Sequence, residues 1–452
     1  MVSNYLLSNK KSKWRGKIQP APQKSNTPYR VFSHLRLPKL HTPMAKKSVF
    51  DPQSVHHQFP ALRRLHNKKP LIFLDGPGGT QVPERVIRAI STYYRRSNAN
   101  THGAFVTTRE TDKVMSDART KMATLLGAPG PECISLGQNM TTINYSLARA
   151  MSKLLKPGDE VLITQLDHEA NRGPWLTLRD FGVKVREVKL LPTGTLDYAD
   201  FEQKLNENTR LVCMGMSSNA IGTVNDFALV RQMTYKVGAW LLLDAVHYAP
   251  HFSIDVQAIG CDFLICSAYK FYGPHVGIMY AKPGLLDRLP TDRLRTTDQI
   301  APYSIETGTL NHAAMAGVSA AVDFIASLGS GDNLREKLDD AYAKVSQHEF
   351  ALASKLYTEL KAIKGITVVG QDFSSEKRTP TVSFTVKGKT AEEVCKQLAA
   401  GNICAWDGHF YAVRAIEVLG LLEKGGVTRM GISLYNTEQE IDHVIKAVKK
   451  LT

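Results

Sequence analysis

Cysteine is scarce in this chain and unclustered. The six thiols (Cys133, Cys213, Cys261, Cys266, Cys395 and Cys404) form no CxxC pair, which argues against a structural zinc site. Several fall inside apolar stretches, where cysteine behaves as a small buried hydrophobe, and this fits a reducing compartment. No apolar run approaches the eighteen residues a membrane-spanning helix needs. No GxGxxG follows a strand-like segment, which disfavours a nicotinamide-binding Rossmann enzyme. Acidic residues are missing altogether from the first fifty positions, which hold eleven Lys or Arg; the first acid is Asp51. The net charge of +15 is therefore mostly a property of this tail, since the remainder carries 46 basic against 42 acidic residues.

The tail, residues 1–50, is rich in Lys, Arg, Ser, Asn and Pro and reads as disordered. Two readings of it stand side by side. It is a basic, acid-free organellar transit peptide, or the true start is Met44 and the upstream part is an extended reading frame. Pro20, Pro22 and Pro28 weaken the amphipathic helix a transit peptide should form. Sparse aromatic interleaving disfavours a nucleic-acid arm. The expected location is the cytoplasm, or a mitochondrion or other organelle if residues 1–43 are a transit peptide.

What is present is a series of short apolar runs alternating with helical patterns. Glu160–Thr164, Arg210–Met214, Trp240–Leu243, Phe263–Cys266 and Val276–Tyr280 read as strands buried on both faces. Such strands spaced by helices predict an α/β layer with a mainly parallel sheet, in residues 51–329. A break at Gly329–Asp332 opens a long helical pattern over Asn333–Ile363. Strands at Ile366–Val369 and Thr381–Val386 follow, with capping boxes at Thr390–Glu393 and Thr437–Glu440. Residues 330–452 thus read as a second, smaller α+β domain.

Candidate chemistry gathers where the strands end. Lys270 follows Phe263–Cys266 among small and aromatic residues, and desolvation there lowers an amine's pKa enough to make it a Schiff-base nucleophile. Asp244 ends the preceding strand. An amine and a carboxylate so placed are what pyridoxal phosphate (PLP) requires, one for its aldehyde and one for its pyridinium nitrogen. Gly137–Thr142 precedes a helical stretch from Ile143 to Leu155 and suits a phosphate, with Thr141 and Thr142 as donors. The imidazole of His168 can stack on the pyridine ring and later move protons as a catalytic group, and the amide of Asn219 can reach the phenolate oxygen. Singly, each is more often an ordinary loop or cap residue. All five positions, however, lie at successive strand ends of one sheet.

From about Phe59 to the C-terminus the chain resembles the class V aminotransferases of PLP fold type I, in the cysteine desulfurase-like branch related to selenocysteine lyase. The resemblance implies a Schiff base at Lys270, with Ser267 and Tyr269 (commonly His) reaching the phosphate. It implies Asp244 at the pyridine nitrogen, His168 stacked on the ring, Asn219 at the phenolate, and Thr141 and Thr142 at the phosphate. His247 stands where the family usually has a phenolate-binding Gln. Glu306-Thr307-Gly308-Thr309 resembles the segment whose threonine reaches a neighbouring subunit's phosphate, so Thr309 implies a homodimer with shared sites. Arg429-Met430-Gly431-Ile432-Ser433 matches the segment whose arginine grips the carboxylate of the amino-acid substrate, a task suited to a bidentate fork.

One departure changes the expected reaction. The family's mobile cysteine lies in an Arg-x-Gly-His-His-Cys-Ala pattern; here Trp406-Asp407-Gly408-His409-Phe410-Tyr411-Ala412 puts Trp406 at the arginine and Tyr411 at the cysteine. A phenol cannot hold sulfur as a persulfide. Cys404 lies close by, but Asn402–Ala405 reads as strand and its thiol as structural. The expectation is a lyase cleaving a C–S or other β- or γ-bond, with Lys270 moving the α-proton and Tyr411 shaping or protonating the substrate side. An aminotransferase or epimerase would use the same groups, and a non-catalytic PLP-binding protein is the reading from another class.

Overall fold

The computed structural model describes residues 50–374 and 377–452. The basic tail and its candidate start at Met44 lie outside these described residues. Seven strands form the main sheet: β1 (Ile134–Gly137), β2 (Glu160–Thr164), β3 (Lys184–Val188), β4 (Thr209–Gly215), β5 (Trp240–Asp244), β6 (Phe263–Ser267) and β7 (Gly277–Ala281). Their spatial order is β1-β7-β6-β5-β4-β2-β3. Every pairing is parallel except those of β7, which runs antiparallel to β1 and β6. The sheet is thus mainly parallel, as its uninterrupted apolar strands predict.

Why those strands are apolar at every position is visible in the packing. Successive side chains point to opposite faces, and both faces are covered. Leu162, Val212, Met214, Leu241, Leu243, Leu264 and Cys266 join a core on one side. Their neighbours Val161, Ile163, Leu211, Cys213, Leu242, Phe263 and Ile265 join a second core on the other. Helices α1 (Met140–Leu154), with Ile143, Leu147 and Met151, and α2 (His312–Ala326), with Val318 and Val322, cover opposite faces. Lys270, Asp244, His168, Asn219 and Thr141 accordingly lie at or just beyond the ends of these strands.

Helix α3 (Leu334–Ala362) starts behind the Asn333 cap, whose side chain accepts the Glu336 N–H at 3.0 Å. Its first half (Leu338, Tyr342, Val345) packs on the main sheet's core. Its second half (Leu352, Leu356, Leu360) builds a third core beneath a four-stranded antiparallel sheet. That sheet is β8 (Ile366–Val369), β9 (Thr381–Val386), β10 (Trp406–Gly408) and β11 (Val427–Gly431), in the order β8-β9-β11-β10. Ile72 and Leu74, from far upstream, complete this core. Both expected capping boxes are present, at Thr390/Glu393 and Thr437/Glu440.

One detail differs from the sequence reading. Helix α1 begins at Met140, three residues earlier than Ile143, because the Asn139 side chain accepts the Thr142 N–H at 2.9 Å and caps it. Thr141 and Thr142 therefore sit inside its first turn. The segment leading to Thr309 is anchored by a buried bidentate pair, Arg119 to Glu306 with both contacts at 2.7 Å. Among the described residues no helix is long and apolar enough to cross a membrane.

The start of α1 rests directly on β7. A Cβ placed on Gly277 would overlap the Asn139 carbonyl and lie 2.7 Å from the Met140 nitrogen. Backbone cannot swing aside as a side chain can. Gly277→Ala is expected to cost about 1–3 kcal/mol in urea denaturation, in the range of overpacked interiors. Gly308→Ala, with nothing within 4 Å of its Cβ, should leave the midpoint unchanged. Equal midpoints for both variants would contradict this packing.

Candidate active site

Strand β6 runs out at Ser267, and a single tight turn, Ala268–Lys270, carries the lysine back over the sheet end. Lys270 is buried, and its Nζ donates to the Pro77 carbonyl. Burial, reinforced by the Arg429 guanidinium and opposed by Asp244, pulls the amine down to about 7. On the adjacent strand β5, Asp244 accepts the Val246 N–H at 2.9 Å through Oδ1. Burial, aided by the Asp167 charge and countered by Lys270, raises its carboxyl to about 7. The Ser267 hydroxyl oxygen accepts the Met140 N–H at 3.1 Å, which ties the start of α1 to the end of β6.

The loop after β2 supplies the imidazole. His168 Nδ1 accepts the Ala170 N–H at 2.9 Å, so the neutral ring carries its proton on Nε2. Burial, then Lys270 and Arg429, lower this histidine to about 4, and it is neutral at physiological pH. Asp167 beneath it accepts the Gly215 N–H at 2.6 Å and the Thr164 N–H at 3.2 Å, and burial raises it to about 6. After β4, the Asn219 side chain donates to the Phe410 carbonyl at 2.8 Å, while the Asn219 backbone carbonyl accepts from Arg429 Nη1 at 2.9 Å. Arg429, in the middle of β11, is buried with the Phe410 ring centroid 3.9 Å from its guanidinium carbon. Burial lowers it to about 9, with Asp75 opposing.

One pocket gathers Thr141, His168, Asn219, Asp244, His247, Ser267, Tyr269 and Lys270. An adjoining open cleft joins Lys270 and His168 to Arg429 and Tyr411. Thr142 and Thr309 are elsewhere: they line a neighbouring cleft with His275, and the Thr142 hydroxyl is bonded to Asn139 Oδ1 at 3.0 Å. His247 reaches the pocket wall, but its Nε2 lies 2.9 Å from the Thr381 and 3.2 Å from the Thr379 hydroxyl. Burial holds its pKa well below the usual value.

Sequence reasoning missed Asp75 and Pro77. The turn Asp75-Gly76-Pro77-Gly78-Gly79 brings the Pro77 carbonyl to Lys270. It can approach because Gly431, at the end of β11, has no Cβ; one there would overlap the Pro77 ring. Asp75 is raised to about 6 by burial, with Arg429 pulling the other way, and its Oδ1 is buried with no hydrogen-bond partner. The dense Gly and Pro punctuation after an apolar run was the available signal.

The donor set fits PLP. A neutral lysine amine at about 7 and a buried carboxyl stand at adjacent strand ends, and the Ser217 Oγ in the same pocket is buried without a partner. A parallel sheet with these groups beyond its carboxyl ends defines a PLP-dependent enzyme of fold type I.

Comparison with known proteins makes that assignment specific. The model of the family "Aminotransferase class-V" matches residues 72–444, and the chain belongs to this family. It is 31% identical over 408 residues to a probable cysteine desulfurase of Halalkalibacterium halodurans, covering 87% of this chain and 96% of that one. It is also 31% identical to a probable cysteine desulfurase of Mycolicibacterium paratuberculosis, covering 89% of this chain but spanning only 58% of that longer protein. Among solved structures, a cysteine desulfurase from Escherichia coli superposes with a TM-score of 0.78 at 26% identity, covering 89% of this chain and 98% of the other.

The depressed lysine yields a direct test. In cofactor-free protein, Lys270 should react with an amine-selective acylating reagent with a midpoint near pH 7, because only the neutral amine attacks and its fraction rises with pH. Ordinary lysines require a pH about three units higher. Peptide-resolved labelling that gave Lys270 a midpoint above pH 9 would contradict its burial.

Proposed function

We propose that this protein is a PLP-dependent lyase that breaks a C–S or other β- or γ-bond of an amino acid without forming a protein persulfide. The observation that carries this is the placement of the thiols. The resemblance assigns Tyr411 to the family's cysteine position, and none of the six cysteines lines the cleft of Lys270 and Arg429. Five are buried, and the sixth, Cys404, sits in a short strand paired in parallel with Ile72 and Phe73. Burial, with the neighbouring Asp75 charge, pushes the Cys404 thiol upward, away from the reactive thiolate. All six are unpaired, which supports a reducing compartment such as the cytoplasm.

When bound, PLP supplies an electron sink for the substrate's Cα–H and Cβ–substituent bonds. The chain's residues supply the rest. Lys270 is the attachment residue and, once released, the base that takes the α-proton; an amine at about 7 suits that task at neutral pH. Asp244 would pair, as its anion, with the cofactor's ring nitrogen. Neutral His168 offers a flat face that adds no charge. Asn219 and His247 are assigned to the phenolate edge, and Ser267, Tyr269 and Thr141 to the phosphate. Thr309, which lines the neighbouring cleft with Thr142, is assigned to a second subunit's phosphate, as in a homodimer. Arg429, whose Nε is buried without a partner, receives the substrate carboxylate. Tyr411 stands at the cleft mouth, its ring 5.5 Å from His168, where its hydroxyl can protonate a departing sulfur.

The test is the product pattern from L-cysteine. Equal amounts of sulfide, pyruvate and ammonia, with no persulfide on the protein and unchanged turnover in Cys404→Ser, are expected. Alanine with a persulfide on Cys404 would overturn the reading, and amino transfer to a keto acid would replace it with transamination.

A further inference from the structure

The outer half of the cleft is ringed by three aromatic side chains, two of which, Tyr145 and Trp406, take no part in the chemistry at Lys270. Tyr145 comes from α1, Trp406 from β10 and Tyr411 from the segment after it. They are 48%, 52% and 68% exposed. Large rings left open to water from three separate elements, around one cleft, mark a surface that a ligand covers.

Their placement is enforced. Phe410 and Tyr411 both adopt left-handed backbone, with φ of 52° and 58°. That conformation is unfavourable for side chains with a Cβ and persists where surrounding contacts impose it. Three hydrogen bonds do so: Asn219 to the Phe410 carbonyl at 2.8 Å, the Glu169 N–H to the Tyr411 carbonyl at 2.7 Å, and the Tyr411 N–H to His409 Nδ1 at 3.1 Å. The Trp406 indole lies against the turn that holds Lys270; a Cβ on Gly78 would sit 2.9 Å from its Nε1. The acidic groups of this outer region are Asp407 and Glu169, the latter paired with Arg172 at 3.1 Å, and neither favours an anionic group on the substrate's far end.

Building on the lyase reading above, we infer that the substrate class is a cysteine thioether whose sulfur carries an uncharged aromatic group. The side chain of free cysteine, one carbon and one sulfur, offers these rings nothing to stack on. Arg429 takes the α-carboxylate and the aromatic group lies among Tyr145, Trp406 and Tyr411. In the reaction Lys270 takes the α-proton, the Cα–H electron pair forms a Cα=Cβ bond, and the Cβ–S bond breaks with its electrons going to sulfur. The thiolate is protonated and leaves as an aromatic thiol. Water hydrolyses the released enamine to pyruvate and ammonia, and no oxidant or reductant is consumed.

The experiment compares S-benzyl-L-cysteine with S-methyl-L-cysteine on the holoenzyme, by KM for thiol and pyruvate release and, separately, by Kd from titration of the cofactor's absorbance. S-benzyl-L-cysteine should show a KM and Kd at least about tenfold lower, the scale of one well-formed aromatic contact with its buried area. Trp406→Ala and Tyr145→Ala, on different elements, should each shrink that ratio at least about threefold. Equal affinity for the two compounds, or a ratio unmoved in both variants, overturns the inference. If neither compound is cleaved yet the Kd ratio holds and falls in the variants, the subsite stands and the lyase reading is what fails.

Discussion

Burial of the Lys270 amine at the end of β6 is the constraint on which the site depends. A sheet covered on both faces has no room for a charge except beyond its strand ends, and there Lys270 is pulled down to about 7. Its one hydrogen-bond acceptor is a carbonyl, that of Pro77, rather than a carboxylate. That choice matters. A carboxylate within contact distance would restore the ammonium and remove the nucleophile. The carbonyl is delivered by a turn that packs on Gly431 of β11, two residues from Arg429, so the attachment point and the carboxylate clamp share one structural support.

The surrounding groups follow the same logic. Lys270 and Arg429 are driven down, Asp75, Asp167 and Asp244 are driven up, and His168 and His247 are held neutral. Desolvation leads in every case. Groups held away from their preferred charge states are stabilised by a ligand that brings complementary charge, which is what a phosphorylated, protonated cofactor and a substrate carboxylate do. The loop bearing Tyr411 is tied into this assembly through Asn219, Glu169 and Arg429. A loop pinned at three points presents a fixed wall to the cleft.

Much of this was legible in the residues, for physical reasons. The strands of the main sheet announce themselves because two-sided burial forces apolar residues at every position. The ends of α3 and of the capped helices follow from Asn333, Thr390 and Thr437. Lys270, Asp244, His168, Asn219 and Thr141 are brought to one pocket because ends of parallel strands share one edge. The start of α1 lies three residues before the one its sequence pattern indicates because the Asn139 side chain caps the helix. The turn at Asp75 and Pro77 was legible as a turn but not as part of the site, because Pro77 meets Lys270 across 193 positions of chain. The left-handed pair Phe410–Tyr411 was unreadable for the opposite reason: residue type argues against it, and only tertiary hydrogen bonds impose it.

The most direct measurement of the central claim is borohydride reduction of the holoenzyme followed by peptide mapping. Reduction fixes the cofactor to whichever amine carries it. The account predicts a phosphopyridoxyl group on Lys270 and on no other lysine; the label on a different lysine, or a reduced protein carrying none, would contradict it.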